Sequence, residues 1–565
     1  MSTTAHVDTF ARDNLPPREQ WPELVFELPE LQFPARLNCA SELLDRWVAE
    51  GQGDRLCMQG PGLRWSYADL QAQANRIAHV LVDELGVQPG NRVLLRGANT
   101  PMMAACWFAI MKVGAIAVAT MPLLRAKELA QVIDKAQVSH ALCDARLAEE
   151  LSLAQAQCPV LKTVGHYMSE AAGGIEARAA AKPSDFRNVD TAADDCCIIA
   201  FTSGTTGQPK GTMHFHRDVM AICACWPPHV LKPVADDIFI GSPPLAFTFG
   251  LGGLLLFPMS VGASTVLLEK AGPDALLAAI AQYRATVCFT APTAYRAMAG
   301  MLGPSPAGTQ AAPRGGQVVL GSGPANDLQV PQHDLSSLRK CVSAGEALPA
   351  ATRKLWKEST GIEMIDGIGA TEMLHIFISH TEDEARPGAT GKPVPGYQAC
   401  VMSDEGQVLP AGQVGKLAVK GPTGCRYLAD ERQRGYVMKG WNLTGDAYLI
   451  DADGYFVYQA RTDDMIISGG YNIAGPEVEA ALLAHPAVAE CGVIGVADEE
   501  RGQIVKAFVV LRPGHAEDAA MVKTLQDFVK ATVAPYKYPR AIEFRASLPR
   551  TETGKLQRFK LKQSI

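Results

Sequence analysis

A run of glycines and hydroxyls, Phe201-Thr202-Ser203-Gly204-Thr205-Thr206-Gly207-Gln208-Pro209-Lys210-Gly211, follows directly on five apolar residues, 196–200. The apolar stretch reads as a buried strand. The run after it offers backbone N–H groups freed by glycine, together with hydroxyls and an ammonium, a set suited to a triphosphate. Walker A spacing is excluded, because Pro209 stands where Gly-x4-Gly-Lys-Ser/Thr needs its second glycine. A second lysine-bearing loop, Pro549-Arg550-Thr551-Glu552-Thr553-Gly554-Lys555, lies about 345 residues further on, on a basic tail.

Around the first loop, residues 60–300 alternate helical and strand-like runs, the pattern of α/β layers. Short buried strands are expected at 93–95, 116–118, 196–200, 265–268 and 287–289, with amphipathic segments such as 67–85 between them. Residues 303–327, rich in Gly, Pro, Ala and Ser, break this pattern and read as a flexible surface insertion. A boundary is expected near Arg461. Before it, residues 448–458 alternate around Asp451-Ala452-Asp453-Gly454, a hairpin. After it the chain restarts with a helix opened by Pro476, strands at 491–496 and 505–511, a helix over 519–531 and a strand at 541–545. The expected fold class is α/β: a large multi-layer N-terminal body (1–460), a short link (461–464) and a small C-terminal α+β domain (465–565).

The net charge is −7, yet residues 537–565 hold eight Lys/Arg against two Glu, which leaves −13 for residues 1–536. An acidic body with a basic tail disfavours general nucleic-acid binding, which favours a broad positive face. It fits a lid serving a polyanionic nucleotide. The most membrane-like stretch, 102–124, contains Lys112, Gly114 and Pro122, and reads as a buried helix and strand rather than a span. The first fourteen residues lack an apolar core and do not form a secretory signal. Fourteen cysteines without Cys-x-x-Cys spacing point to a reduced, cytoplasmic chain with no cysteine metal site.

A third stretch, Asp366-Gly367-Ile368-Gly369-Ala370-Thr371-Glu372-Met373-Leu374-His375-Ile376-Phe377, completes the pattern. From about residue 35 to 560 the chain resembles the adenylate-forming acyl- and aryl-CoA synthetases, and within them the benzoate and 2-aminobenzoate CoA ligases. The resemblance implies an enzyme that joins an aromatic carboxylic acid to ATP, expels pyrophosphate, and passes the aryl-adenylate to CoA with release of AMP. It implies that Thr202, Ser203, Gly204, Thr205, Thr206 and Lys210 cradle the β- and γ-phosphates, and that Gly345, Glu346 and Ala347 line the adenine. Asp366, Gly367, Ile368, Gly369 and Ala370 would cover the other nucleotide face, Thr371 would meet the α-phosphate, and Glu372 would bind Mg²⁺, whose taste is for carboxylate and phosphate oxygens. Asp446 would grip the ribose hydroxyls, with Arg461 beside it. Lys555 would bridge the carboxylate and the α-phosphate, where developing charge is most usefully met by a fixed cation. Asp463 matches the family's hinge, so the resemblance implies that the 461–464 link is a hinge and the small domain mobile. Gly469, Gly470 and Tyr471 match its thiol tunnel, the two glycines allowing close approach because they lack Cβ.

By the same resemblance the acyl pocket lies between residues 244–250 and 367–369. Relatives that take acetate close this pocket with tryptophan where Gly369 stands, so glycine leaves room for a ring. Phe247, Gly250, Ile368, His375 and Ile376 are the candidate walls. Amino-acid-activating relatives carry an aspartate in the first stretch, and none occurs over 243–253. The expected substrate is 2-aminobenzoate, with benzoate next. A carrier-loading adenylation enzyme is the other reading; a fused carrier is disfavoured because the chain ends ten residues after Lys555.

Overall fold

The computed structural model describes every residue except 1–2, 203–208, 303–332, 463, 469–470, 499–500, 534, 551–555 and 565. Ser203, Gly204, Thr205, Thr206, Asp463, Gly469, Gly470, Lys555 and the 303–327 insertion therefore lie outside the described residues, as does the side chain of Tyr471.

Two large sheets form the centre of the body. One has six strands in the order Thr163–Tyr167, His140–Asp144, Arg92–Arg96, Ile116–Thr120, Cys196–Thr202, Lys210–Phe215, all parallel except the last. The other has nine, with a parallel centre that includes Met364–Gly369, Lys340–Ala344, Val287–Thr290 and Ile238–Gly241. Parallel strands need long crossovers and cover on both faces, which is why these strands read as unbroken apolar runs. Helix Pro101–Lys112 supplies such cover, and every residue of it but Met102 is buried. Its Lys112 is buried too and is held by Asp45 at 2.5 Å. Among the described residues no helix is long and apolar enough to cross a membrane.

The expected strands and the 67–85 helix form, with one adjustment to each. The expected strand at 265–268 ends at Val266, although Leu267 N–H still donates to the Gln59 carbonyl at 2.9 Å. Helix Tyr67–His79 starts on a capping box between Ser66 and Asp69, and continues over Val80–Glu84 as a wider turn rather than as regular α-helix.

A third sheet of the body ends in the hairpin Trp441–Ile450 and Phe456–Arg461. Beyond it, helix Gly475–Leu483, strands Val488–Asp498 and Gly502–Leu511, helix Ala519–Thr532 and strand Ala541–Phe544 form a smaller α+β domain. It has its own core, with Ile466, Val478, Leu482, Val493, Val505, Val509 and Leu525 buried together.

All fourteen cysteines are buried, and none is in a disulfide. The fold nevertheless gathers Cys39, Cys197 and His216, whose potential ligand atoms lie within 4.8 Å of one another. Motif spacing could not show this cluster. Its groups satisfy one another in part, since His216 Nδ1 accepts the Cys39 N–H at 3.2 Å.

Candidate active site

Strands Lys340–Ala344 and Met364–Gly369 run parallel with Ala344 opposite Gly367. The loops that leave them therefore emerge side by side, the usual position for a ligand site in an open α/β sheet. One loop carries Gly345, Glu346 and Ala347; Gly345 has φ +94°, a conformation that only glycine adopts at little cost. The other carries Ala370 and the turn Thr371–Met373. His214, from the six-stranded sheet, donates from Nε2 to the Thr371 carbonyl at 2.8 Å and ties the two sheets together at this turn. Asp218 stands 3.8 Å from His214 Nδ1 and forms a fully buried ion pair with Arg426.

Thr202 and Lys210 are directly opposite each other in the antiparallel ladder that brackets the glycine-rich loop. Lys210 Nζ donates to the Tyr427 hydroxyl at 3.2 Å, and that hydroxyl donates to Glu372 Oε1 at 2.5 Å. A lysine, a phenol and a carboxylate from three distant segments thus form one chain. Burial and the neighbouring Glu372 push the Tyr427 phenol far above its ordinary range, so it stays a proton donor to the carboxylate. Tyr436 packs edge-on against Tyr427, with ring centroids 5.6 Å apart. Neither tyrosine, nor His214, has a sequence signature of its own.

Asp446 and Arg461 face each other across the last hairpin of the body, 3.2 Å apart. Gly445 makes this possible. Its φ is +78°, and a Cβ there would stand 2.7 Å from the Arg461 guanidinium.

The C-terminal domain reaches the same region. Leu556 N–H and the Arg550 guanidinium both donate to Glu346 Oε1, at 3.1 and 3.3 Å. The two residues that flank 551–555 are therefore fastened to one of the expected adenine-lining residues.

The expected acyl pocket divides into two groups. His375 is buried at the centre of an aromatic cluster: Phe257 at 4.4 Å, edge-on, with Phe249 and Trp226 at 5.8 and 5.9 Å. Burial pushes its pKa down to about 3, only partly offset by the Phe249 backbone, so the ring is neutral near pH 7. Among the described residues neither ring nitrogen has a hydrogen-bond partner of normal geometry. A buried polar group without a partner is costly. Gly369, exposed at the strand end, lies against the main chain of His375 and Ile376. Ile376 is buried and packs against Gly367. Phe247 instead lines a small apolar cavity with Trp107, Ala117, Ile198, Ala200 and Leu251. Gly250 is needed where the chain doubles back, because a Cβ there would lie 2.1 Å from the Pro244 carbonyl oxygen. Phe249 lies within the expected 244–250 stretch but was not among its candidate walls, and Phe257 and Trp226 were not picked out by sequence; the aromatic spacing there is equally that of a core.

Asp366 is buried, and its Oδ1 has no hydrogen-bond partner among the described residues. Burial raises its pKa from 3.8 to about 7, against the opposing pull of Arg353. A carboxyl shifted this way favours the folded state only while protonated. Its contribution to stability falls as pH rises from about 4 to about 7 and stays low above that, a loss of about 4 kcal/mol at most. Asp366→Asn should therefore gain stability over the parent at pH 8 but not at pH 4. Urea unfolding at the two pH values checks this, and equal effects at both would rule it out.

The family model for "AMP-binding enzyme" matches residues 45–427, well over half of the chain. The chain belongs to the AMP-binding enzyme family. The model for the C-terminal domain of AMP-binding enzymes matches residues 477–555. Among AMP-binding enzymes, a benzoate–CoA ligase of Thauera aromatica is 32% identical over 540 residues, covering 95% of this chain and 98% of the relative. A 4-hydroxybenzoate–CoA/benzoate–CoA ligase of Rhodopseudomonas palustris is 30% identical, with 93% and 94% covered. The crystal structure of the anthranilate CoA ligase AuaEII in complex with anthranoyl-AMP superposes with a TM-score of 0.85 at 34% identity, covering 95% of this chain and 99% of that one. A benzoate CoA ligase from Burkholderia xenovorans LB400 gives a TM-score of 0.80 at 30% identity, with 93% and 99% covered. These are adenylate-forming acid–thiol ligases, and this chain is a member of their superfamily with the same large body and smaller C-terminal domain.

Proposed function

We propose that this AMP-binding enzyme is an aryl-CoA ligase acting in the cytoplasm, with 2-aminobenzoate (anthranilate) as its preferred acid and benzoate as the next. The observation that carries the substrate is His375: a neutral, unpaired imidazole inside an aromatic cluster, next to the open strand end at Gly369. A benzene ring suits the aromatic neighbours, and an ortho-amino group supplies the N–H that a neutral imidazole can accept. Aryl-CoA ligases among the relatives support the same class.

In this reading the acid is first joined to ATP. Thr202 and Lys210 hold the terminal phosphates, Thr371 the α-phosphate, and Asp446 with Arg461 the ribose. Glu372 suits Mg²⁺: one carboxylate oxygen is steadied by Tyr427, and the other makes no hydrogen bond with a described residue. Bound there, the ion would neutralise charge on the phosphates. Lys555 neutralises the oxygens that gain charge as the carboxylate attacks. CoA then displaces AMP from the adenylate, along a path at residues 469–471.

AMP release measured with benzoate, 2-aminobenzoate, phenylacetate and a medium-chain fatty acid, with and without CoA, tests the proposal. The aromatic acids should lead, and turnover should require CoA. A fatty acid in the lead would overturn the aryl assignment; full turnover onto a carrier protein with none onto CoA would favour the carrier-loading alternative. His375→Phe should lower kcat/KM for 2-aminobenzoate about tenfold, the value of one hydrogen bond, while benzoate changes little. An equal fall for both acids would show that His375 does not read the amino group.

A further inference from the structure

Arg296 sits on helix Pro292–Leu302 of the body, yet its contacts are with the C-terminal domain. Its guanidinium donates to three main-chain carbonyls there: Ala489 at 3.2 Å, Val488 at 3.3 Å and Leu483 at 3.4 Å. Leu483 is the last residue of helix Gly475–Leu483, so the cation caps a helix end that carries partial negative charge and carbonyls without intrahelical partners. Burial and the nearby Arg512 both work against the charge on Arg296. Among the described residues no carboxylate lies within ion-pairing distance, and the carbonyls are its acceptors.

The Glu346 contacts with Arg550 and Leu556 cross the same boundary between body and lid. All of these bonds exist only while the lid is docked as it is here, with the residues flanking 551–555 at the expected adenine loop. Carbonyl acceptors suit a contact that must break. When the lid leaves, no unpaired charge stays buried on its side, and the freed carbonyls are rehydrated.

We propose that Arg296 is a positioning residue that latches the lid in its adenylate-forming arrangement and so sets the balance between the two half-reactions. The inference rests on the ligase reading above and adds to it the residue that selects the lid's position. A single cation on the body thereby favours one domain arrangement over the other without touching substrate.

Arg296→Ala and Arg296→Lys in the full chain test it. Adenylate formation, followed as ATP–pyrophosphate exchange with benzoate or 2-aminobenzoate, should fall about tenfold in the alanine variant. Thioester formation from supplied benzoyl-adenylate and CoA should stay level or rise. The lysine variant should lie between, since it keeps the charge but not the fork of donors. Hydrogen exchange over residues 478–492 should quicken in Arg296→Ala, while the body's melting transition is unchanged. Equal losses in both half-reactions, or unchanged exchange in that segment, would overturn the latch. If the parent enzyme activates none of the aromatic acids, the substrate reading has failed instead. Hydrogen exchange over residues 478–492, measured with ATP alone, then decides the latch.

Discussion

Lys555→Ala should reduce adenylate formation by about a thousandfold while leaving thioester formation from a supplied aryl-adenylate near the parent rate. The attacking carboxylate and the α-phosphate are both anionic, and charge grows on the phosphate oxygens at the transition state, so a positioned cation there is worth up to about 10³ in rate. Once the adenylate exists, that charge has been resolved and the lysine is no longer needed. The lid is fastened to the body on both sides of the lysine segment, through Arg550 and Leu556 to Glu346. The two half-reactions must be measured separately, by pyrophosphate exchange and by CoA consumption with benzoyl-adenylate. Comparable losses in both would remove Lys555 from its assigned step. Acetylation of this lysine, which abolishes its charge, should reproduce the alanine result.

Gly369→Trp should cut turnover of benzoate and 2-aminobenzoate by more than about a hundredfold, because a reacting group displaced by about an ångström already costs that much. The geometry sharpens the reason. A Cβ at Gly369 would lie 2.8 Å from the His375 carbonyl carbon and oxygen and 3.0 Å from the Ile376 nitrogen, so even alanine requires the main chain at 375–376 to shift. The indole adds a second effect by filling the space assigned to the ring. Gly369→Ala separates the two: it should lose about tenfold through displacement alone. ATP binding, which the proposed function assigns to Lys210 and Asp446, should survive in both variants and must be confirmed by calorimetry. A folded, ATP-binding tryptophan variant with normal benzoate turnover would move the acyl pocket elsewhere.

Much of the fold was legible because parallel strands leave an unmistakable trace. Residues buried on both faces form short apolar runs, and those at 93–95, 116–118, 196–200 and 287–289 became strands within one or two residues of each end. The end at Leu268 was not legible, since apolarity continues past the last ladder pair at Val266. The wide turn after His79 was invisible for a similar reason: the apolar stripe runs on while the backbone changes its pitch. In the site, the Thr-Gly-Asp at 444–446 stood out only by resemblance and by its place just before the boundary, whereas the steric duty of Gly445 beside Arg461 is visible only in the fold. Tyr427 could not, because a lone tyrosine after Cys425 and Arg426 has no spacing that announces a hydrogen bond to residue 372. Cys39, Cys197 and His216 were missed on the same ground, their meeting being a product of topology alone.

The chain from Lys210 through Tyr427 to Glu372 has a bearing on how this enzyme can be recombined with its relatives. Its members lie 162 and 55 residues apart along the sequence but act as one hydrogen-bonded unit. A chimera with a crossover between 210 and 427 would take the members of this unit from two different parents. Exchange of everything up to Tyr427 as one block, or of the lid alone beyond Arg461, keeps the unit intact. Shuffled libraries should accordingly show survivors clustered at breakpoints after 427, with few active members cut between the glycine-rich loop and the Glu372 turn.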